Sequence, residues 1–159
     1  MPFRTGIGYD VHRLAPDCQL VLGGVEIPFS RGLTGWSDAD VLTHAVMDAL
    51  LGAAGLGDIG IHFPPGDPHY KDISSLLLLH KVGKMLAEEG WKTGNVDTVI
   101  IAEQPKLSGY AEAMRRNLAE ALNIDATVVN IKASTTEKLG FIGREEGIAA
   151  WATALIERS

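Results

Sequence analysis

The stretch "GIGYDVHRL", residues 6–14, has the character of a β-strand and carries Asp10 and His12 two positions apart. Side chains at positions i and i+2 of a strand point to the same face of the sheet. The stretch therefore predicts a carboxylate beside an imidazole on one side of this strand. Three interpretations are open from these residues alone: a metal site, an ion pair between the two side chains, or two groups that contact only water.

Composition limits the class of protein around this strand. The chain has 159 residues, the size of one domain, and its hydrophobic content of 46% is sufficient for a folded core. Its net charge of −6 argues against a nucleic-acid partner but allows a phosphorylated small molecule, because a bound cation can supply positive charge locally. Cys18 is the single cysteine, so no internal disulfide is expected. The absence of a long apolar run and of a signal or transit peptide predicts a cytoplasmic protein with no membrane partner.

Hydrophobic periodicity and turn residues predict an α+β fold. We expect a single domain over residues 1–159, in which ferredoxin-like βαβ units form a mixed β-sheet that helices cover on one side. Strands are expected at residues 3–13, 18–27 (with a hairpin turn at Gly-Gly), 95–103 and 126–134. Helices are expected within residues 34–58, 74–90 and 108–123, residues 59–71 are expected to form a loop, and "EGIAAWATALIER", residues 146–158, fits either a helix or a strand.

The first predicted helix adds a third residue to the pair on the strand. Ser37, Asp38 and Asp40 are all suitable residues for its start, and His44 follows Asp40 by one turn. Asp10, His12 and His44 together offer one oxygen and two nitrogen ligands, which suits zinc with its fourth position open to a substrate. Asp40 is an alternative ligand, since it shares a helix face with His44, but we favour it as a helix-start residue.

A second group of polar residues lies in "KASTTEKLGFIGREEG", residues 132–147. A predicted strand ends there in three hydroxyl residues, and Glu137 and Arg144 follow among several glycines. Hydroxyls, turn amides and an arginine are the groups that bind phosphate, and Glu137 could hold a hard cation between phosphate oxygens. The alternative is an ordinary loop with capping hydroxyls, and the G-x-x-x-x-G-K-[ST] spacing of a Walker A loop is absent.

Two further stretches are weaker signals. "IIAEQPKLSGY", residues 100–110, is a strand–turn–helix junction whose backbone could present donors and acceptors to a flat base. "GLGDIGIHFPPGD", residues 55–67, places Asp58 between glycines, where a backbone can approach a ligand closely.

These stretches, in this order and over nearly the whole chain, resemble the 2-C-methyl-D-erythritol 2,4-cyclodiphosphate synthases of the non-mevalonate isoprenoid pathway. The matching pieces include "GYDVHRL", "GGVEIP", "SDADVLTHAVMDALLGAAGLGDIG" and "NIKASTTEKLGFIGREEGIA". The resemblance implies a metal-dependent phosphorus–oxygen lyase. In that reaction the 2-phosphate of 4-diphosphocytidyl-2-C-methyl-D-erythritol 2-phosphate attacks the β-phosphorus of the same molecule, CMP leaves, and a cyclic diphosphate forms.

The resemblance also implies the residues of the site. Asp10, His12 and His44 would bind Zn²⁺, Glu137 would help to hold a second ion, Mg²⁺ or Mn²⁺, and Thr135 would assist the transition state. The residues expected to contact the substrate are Asp10, His12, Trp36, Ser37, Asp58, Ile59, Gly60, Phe63, Pro64, Pro65, Gly66, Asp67, Ala102, Glu103, Gln104, Pro105, Lys106, Leu107, Ser108, Ser134, Thr135, Thr136, Glu137, Phe141 and Arg144.

Members of this family are homotrimers with active sites between neighbouring subunits. The resemblance therefore implies that residues 102–108 and 132–137 face the zinc residues of an adjacent chain. An isoprenoid diphosphate is a further expected ligand, in an apolar channel on the threefold axis that Arg144 would adjoin.

The chain departs from the family pattern at two positions. Many members have a histidine with a transition-state or substrate-contact role where this chain has Trp36, so the resemblance implies Trp36 as a catalytic residue beside Thr135. An indole cannot carry a positive charge but can donate one hydrogen bond, so a packing or hydrogen-bonding role is expected for Trp36. Members often read F-P-D where this chain reads "FPPGD", which leaves Asp67 as the carboxylate of that loop. Two alternatives to the cyclase stay open: a zinc-dependent phosphoesterase, and a non-catalytic module that binds nucleotides or isoprenoid diphosphates.

Overall fold

The strand that carries Asp10 and His12 lies inside a five-stranded sheet. The computed structural model describes residues 2–159. Its strands are β1 (Phe3–Pro16), β2 (Leu20–Leu22), β3 (Val25–Ile27), β4 (Arg31–Leu33), β5 (Trp91–Ile101), β6 (Val129–Ser134) and β7 (Gly147–Arg158). Its α-helices are α1 (Val41–Ala54), α2 (Ile59–His62), α3 (Ser75–Glu88), α4 (Ala111–Leu122) and α5 (Gly140–Gly143), and single 3₁₀ turns occupy Pro68–Tyr70, Ser108–Tyr110 and Ala126–Val128.

The main sheet has the strand order β4-β1-β7-β5-β6, and β2 and β3 form a separate hairpin. All neighbours in the main sheet are antiparallel except β5 and β6, which are parallel and are joined through α4 in a βαβ unit. The expected mixed sheet is therefore confirmed.

Helices cover only one face of this sheet. The alternate residues Ala150, Ala152 and Ala154 of β7 are buried on the face that contacts α1. The opposite face exposes apolar side chains, among them Ile7 on β1, which is 64% exposed, and Trp151 on β7, which is 42% exposed. The expectation that the helices pack on one side is confirmed, and the other side of the sheet is an uncovered apolar surface in the single chain.

Two glycines on β1 allow α1 to pack unusually close to the sheet. A Cβ atom on Gly8 would lie 1.9 Å from the main-chain oxygen of Ala45, and one on Gly6 would lie 2.0 Å from that of Ala49. The helix backbone thus rests directly on the strand backbone. Because Gly6 and Gly8 share a strand face with Asp10 and His12, this contact also brings the start of α1 close to the two polar residues.

The start of α1 is held by Asp40, as the sequence predicts. The Asp40 carboxylate accepts hydrogen bonds from the N–H of Thr43 at 3.0 Å and from its hydroxyl at 2.7 Å. It also accepts hydrogen bonds from the N–H groups of Gly23 and Gly24, at 2.9 and 2.8 Å, in the β2–β3 turn. These four hydrogen bonds satisfy the fully buried carboxylate, and they join the β2–β3 hairpin to α1. Asp40 is therefore not one of the three convergent ligands.

The loop prediction for residues 59–71 is wrong in two places, because the segment contains α2 and the turn at Pro68–Tyr70. Each begins at an aspartate whose side chain accepts a main-chain N–H: Asp58 from Ile61 and Asp67 from His69. The ambiguous C-terminal segment is a strand, β7, whose alanines fit beneath α1. No helix within residues 2–159 is long and apolar enough to cross a membrane.

The contact between α1 and β1 generates a test of the packing. We expect Gly8→Ala to lower the free energy of unfolding by about 1–3 kcal/mol, because the new methyl group must displace the helix backbone. The measurement is urea denaturation at fixed protein concentration in the presence of a chelator. Gly109→Ala is the matched control, since a Cβ there meets nothing within 4 Å. Equal urea midpoints for the two variants would contradict this account of the packing.

Candidate metal centre

Asp10, His12 and His44 converge on one point between β1 and α1. Asp10 Oδ2 lies 2.9 Å from His12 Nε2 and 3.0 Å from His44 Nδ1, and the two nitrogens are 3.3 Å apart. His44 is buried, and the other two side chains are partly exposed. Strand spacing predicts that Asp10 and His12 lie side by side, and the family resemblance implies that His44 joins them. The structure shows both.

The ring of His12 is oriented by the chain that follows β4. Its Nδ1 lies 2.8 Å from the main-chain oxygen of Thr34. A carbonyl oxygen only accepts, so Nδ1–H is the donor in this bond. In the neutral ring, the lone pair of Nε2 then faces Asp10 and His44. This arrangement presents His12 as a ligand through Nε2.

The ring of His44 has hydrogen-bond partners on both nitrogens. Nδ1 faces Asp10, while Nε2 lies 2.9 Å from the hydroxyl of Ser75 and 3.1 Å from that of Ser37. Ser37 was among the expected contact residues. Ser75 was not, and the sequence contains no signal that would have linked this first residue of α3 to His44.

The charges in the cluster shift each other's protonation equilibria. Burial raises the pKa of the Asp10 carboxyl, but hydrogen bonds and charge from His12 and His44 outweigh burial and lower this pKa to about 2. Burial lowers the pKa of His12, but the Asp10 carboxylate outweighs burial, so the pKa of His12 is raised above its usual value. Asp10 is therefore a carboxylate over the whole neutral range, as a metal ligand must be.

The donor set fits a four-coordinate metal ion. Ligands about 2.0–2.1 Å from a tetrahedral zinc are about 3.3 Å from one another. The three observed separations, 2.9, 3.0 and 3.3 Å, require little movement to reach that value. Across residues 2–159, no other group of three His, Cys, Asp or Glu side chains converges in this way. The cluster can hold a metal ion and leaves one coordination position for another ligand.

A cavity of about 250 Å³ opens from this cluster. Beyond the three potential ligands, the cavity is lined by Trp36, Ser37, Ile59, Gly60, Phe63, Pro65, Tyr70 and Leu78. The first six were expected substrate contacts, so residues from the start of α1 and from α2 meet here. Tyr70 and Leu78 were not among the predicted substrate contacts. Leu78 lies on the apolar face of α3, and its place on that face is the only sequence signal that it points into the protein.

Trp36 links the two sides of this cavity. Its indole N–H donates to the main-chain oxygen of Asp67 at 2.9 Å, which is the kind of hydrogen bond expected of this residue. The Asp67 carboxylate accepts the main-chain N–H of His69 and contacts its ring nitrogen Nδ1, and Asp67 does not line the cavity. Asp58 caps α2, and Pro64 and Gly66 also lie outside the set of lining residues.

A second cavity, of about 340 Å³, lies where β5 and β6 end. It is lined by Ala102, Glu103, Gln104, Pro105, Lys106, Leu107, Ser108, Ala133, Ser134 and Thr135. The structure therefore brings together the two stretches expected to surround the nucleotide. The two cavities share no lining residue within one chain.

The carboxylate of Glu103 organises the hydroxyl-rich turn after β6. Its Oε1 accepts the N–H groups of Thr136 and Lys138, each at 3.0 Å, and the Thr136 hydroxyl at 3.1 Å. These bonds hold a turn in which Glu137 and Lys138 have φ values of 54° and 63°. This structural role of Glu103 was missed, because carboxylates that bind a loop cannot be distinguished in sequence from those that face a ligand.

The remaining expected residues, Glu137, Phe141 and Arg144, do not line the cavity that opens from the cluster. Glu137 has an exposed side chain outside the cluster, and among residues 2–159 it belongs to no convergent group of three potential metal ligands. Phe141 lines a further cavity, of about 260 Å³, together with Val11, His12 and Arg13 of β1. Arg144 is exposed and forms an ion pair with Glu146 at 3.2 Å.

The raised pKa of His12 predicts how metal binding depends on pH. In the metal-free protein, the His12–Asp10 interaction stabilises the fold below the usual histidine pKa of about 6.5 and is lost as the pH rises through the higher folded-state value. A metal needs the neutral imidazole, so protons compete with it. We expect zinc to raise the melting temperature much more at about pH 8 than at about pH 5.5.

The measurement is calorimetric melting with zinc or with a chelator at each pH. His80→Ala, which removes an exposed histidine on α3, should keep the wild-type pH dependence. A zinc-induced shift of the same size at both pH values would argue against His12 as a ligand.

Comparison with known proteins identifies the family of the chain. Residues 3–157 match the YgbB family. The 2-C-methyl-D-erythritol 2,4-cyclodiphosphate synthase of Dehalococcoides mccartyi is 67% identical over 154 residues, which cover 97% of this chain and 98% of the relative.

Solved structures have the same fold. The bifunctional IspDF of Campylobacter jejuni superimposes with a TM-score of 0.95 at 43% identity, covering 99% of this chain. This chain spans only 42% of the Campylobacter protein. The Plasmodium falciparum IspF in its CDP complex superimposes with a TM-score of 0.87 at 33% identity, covering 99% of this chain and 97% of the other. The chain thus belongs to the YgbB family, and it is similar along nearly its whole length to the Dehalococcoides synthase.

Proposed function

We propose that the protein is a 2-C-methyl-D-erythritol 2,4-cyclodiphosphate synthase, a lyase of the non-mevalonate isoprenoid pathway. It converts 4-diphosphocytidyl-2-C-methyl-D-erythritol 2-phosphate to the cyclic diphosphate and releases CMP. The observation that carries the proposal is the Asp10–His12–His44 cluster, which opens to a cavity in a chain that is two-thirds identical to a synthase of this name.

The ion we propose for the cluster is zinc, because one carboxylate oxygen and two imidazole nitrogens are typical of its open, substrate-binding sites. When bound, zinc supplies a Lewis acid that polarises a phosphoryl oxygen and offsets its charge. The chain's own contribution is to hold three deprotonated ligands at the floor of the cavity. The second ion, Mg²⁺ or Mn²⁺, is assigned to the exposed carboxylate of Glu137, because hard cations prefer oxygen ligands.

The reaction needs no nucleophilic side chain, because the substrate carries its own nucleophile in the 2-phosphate. The work of the cavity is to fold the substrate so that this phosphate reaches the β-phosphorus. Holding reacting groups in place in this way can lower a barrier by about 7–11 kcal/mol. We assign the apolar walls from Ile59, Phe63 and Leu78 to the carbon chain and the hydroxyl of Ser37 to a polar end.

We assign the second cavity to the cytidine and its phosphate. Residues 102–108 offer main-chain donors and acceptors to a flat base, and the CDP complex of the Plasmodium relative supports a cytidine nucleotide as the ligand. The hydroxyl of Thr135 lies 3.2 Å from the N–H of Glu137 and accepts from it. The hydroxyl's own proton is therefore free to be donated to a phosphate oxygen in the transition state.

We propose a homotrimer in which the two cavities meet between neighbouring chains. Two observations support it: the cavities have separate linings in one chain, and the uncovered face of the sheet carries exposed Phe3, Ile7, Tyr9, Val11 and Trp151. An apolar patch of this kind is typical of an interface between proteins. An isoprenoid diphosphate on the threefold axis, beside Phe141 and Arg144, remains part of this proposal.

The decisive experiment is phosphorus NMR of the protein incubated with the cytidyl diphosphate substrate, zinc and magnesium. We expect one cyclic diphosphate and CMP, and a lower rate when magnesium is omitted. A linear, hydrolysed product would identify a zinc-dependent phosphoesterase. Bound substrate without turnover would identify a binding module.

Removal of one ligand tests the metal centre. We expect His44→Ala to lose zinc and to lower turnover by at least about 100-fold, because preorganised charge at the reacting phosphates is lost. Zinc content by atomic absorption and turnover by NMR are the measurements, and circular dichroism should show a folded protein. His80→Ala should retain both zinc and activity. Full activity of zinc-free His44→Ala would reject the assignment.

A charge on the uncovered sheet face tests the assembly. We expect Ile7→Glu to reduce the particle to a single chain and to remove turnover while zinc stays bound, because the metal ligands all lie on one chain. Sedimentation velocity gives the mass. Leu77→Glu places the same charge on an exposed leucine of α3 and should leave the trimer intact. A trimeric, active Ile7→Glu variant would show that this face is not the interface.

A further inference from the structure

Ser75 connects the metal centre to a carboxylate that is not one of its ligands. The side chain of Ser75 is fully buried at the start of α3. Its hydroxyl oxygen lies 2.9 Å from Nε2 of His44 and is also hydrogen-bonded to Oδ1 of Asp38. Asp38, Ser75 and His44 therefore form a continuous chain of hydrogen bonds that ends at the ring whose Nδ1 faces Asp10.

The chemistry of the groups sets the direction of this chain. A hydroxyl has one hydrogen to donate, and a carboxylate can only accept. The Ser75 hydroxyl thus donates to Asp38, and its oxygen is left to accept from His44. In the neutral ring, Nε2 of His44 therefore carries the proton, which the oxygen of Ser75 accepts at 2.9 Å and that of Ser37 can share at 3.1 Å. The lone pair of Nδ1 is then directed at the position where the metal would bind.

Asp38 is itself held firmly enough to impose this direction. Its Oδ2 accepts the main-chain N–H of Ser75 at 2.9 Å, and its Oδ1 accepts the N–H of Asp40 at 3.1 Å. The N–H of Asp38 donates to the oxygen of Ile73 at 3.1 Å. The carboxylate is thus fixed between the start of α1 and the N-terminus of α3, where negative charge is favourable.

We propose that Asp38 and Ser75 are positioning residues for the metal centre, which fix the tautomer and the ring orientation of His44. This inference rests on the proposed metal-dependent function and extends it beyond the three ligands. Groups that orient a metal-binding histidine typically change metal affinity by about 10–100-fold when they are altered.

A purely structural role makes a different prediction. If Asp38 only capped α3, its replacement would lower the stability of the metal-free protein without moving the proton on His44. Asp38→Asn separates the two roles. Its amide N–H₂ can donate to the Ser75 oxygen, which frees the Ser75 hydroxyl to donate to Nε2 and favours a proton on Nδ1, the nitrogen that must be bare to bind a metal.

The experiment uses the full chain with Ser75→Ala, Asp38→Asn and the control Ser74→Ala. Ser74 is the adjacent, exposed serine, and its side chain makes no capping hydrogen bond. Nitrogen NMR of histidine-labelled, metal-free protein at alkaline pH reports the tautomer, with the His44 signals assigned from His44→Ala. Competition with a chelator gives the zinc dissociation constant, and melting of the metal-free proteins gives their stability.

We expect a proton on Nε2 of His44 in the wild type, a shift toward Nδ1 in Asp38→Asn, and zinc binding weakened about 10–100-fold in Ser75→Ala and Asp38→Asn. Ser74→Ala should match the wild type. A proton on Nδ1 in the wild type, unchanged zinc affinity in both test variants, or weaker binding with an unchanged tautomer in Asp38→Asn would each overturn the inference. A wild type that binds no zinc would instead reject the proposed function, and the tautomer would still test the hydrogen-bond chain.

Discussion

The backbone of α1 rests on the backbone of β1 at Gly6 and Gly8, and the geometry of the candidate metal centre depends on this contact. The strand supplies Asp10 and His12, the helix supplies His44, and the three donor atoms lie 2.9–3.3 Å apart. A side chain at Gly8 would overlap the main-chain oxygen of Ala45, the residue that follows His44. Packing by glycine, rather than by interlocking side chains, thus sets the distance between two elements whose ligands must meet within a few tenths of an ångström.

The two aspartates in "SDAD" perform separate tasks in holding the helices around this contact. Asp40 binds the β2–β3 turn and the first turn of α1. Asp38 binds the first residue of α3, which in turn contacts His44. Burial raises the pKa of Asp40, so its four hydrogen bonds must offset the cost of a buried carboxylate. A short acidic motif therefore joins three elements that are distant in sequence, and the metal centre lies where they meet.

Strand and helix periodicity in the sequence predicts part of the site. The rest depends on contacts between residues that are distant in sequence, which periodicity does not report. The period of a strand places Asp10 and His12 on one face, and helix-start preferences select Asp40 as the cap of α1. Ser75 lies 31 positions after His44, and no periodicity links the two residues. The short helix α2 was missed because its proline- and glycine-rich surroundings indicate a loop, although Asp58 provides a cap. The C-terminal strand was ambiguous because an alanine-rich run fits both periods until its partner elements are known.

If chains associate through the uncovered face of the sheet, as we propose, the stability of the fold depends on protein concentration. Tyr9 and Trp151 lie with ring centroids 4.7 Å apart on this face, and both are about two-fifths exposed in the single chain. In the proposed trimer these rings would be removed from water, so part of the stabilising free energy would appear only when chains associate. On dilution, the trimer would dissociate before the single chains unfold. The melting temperature would therefore rise with protein concentration. Catalytic activity and thermal stability would then both require a protein concentration high enough to form the trimer.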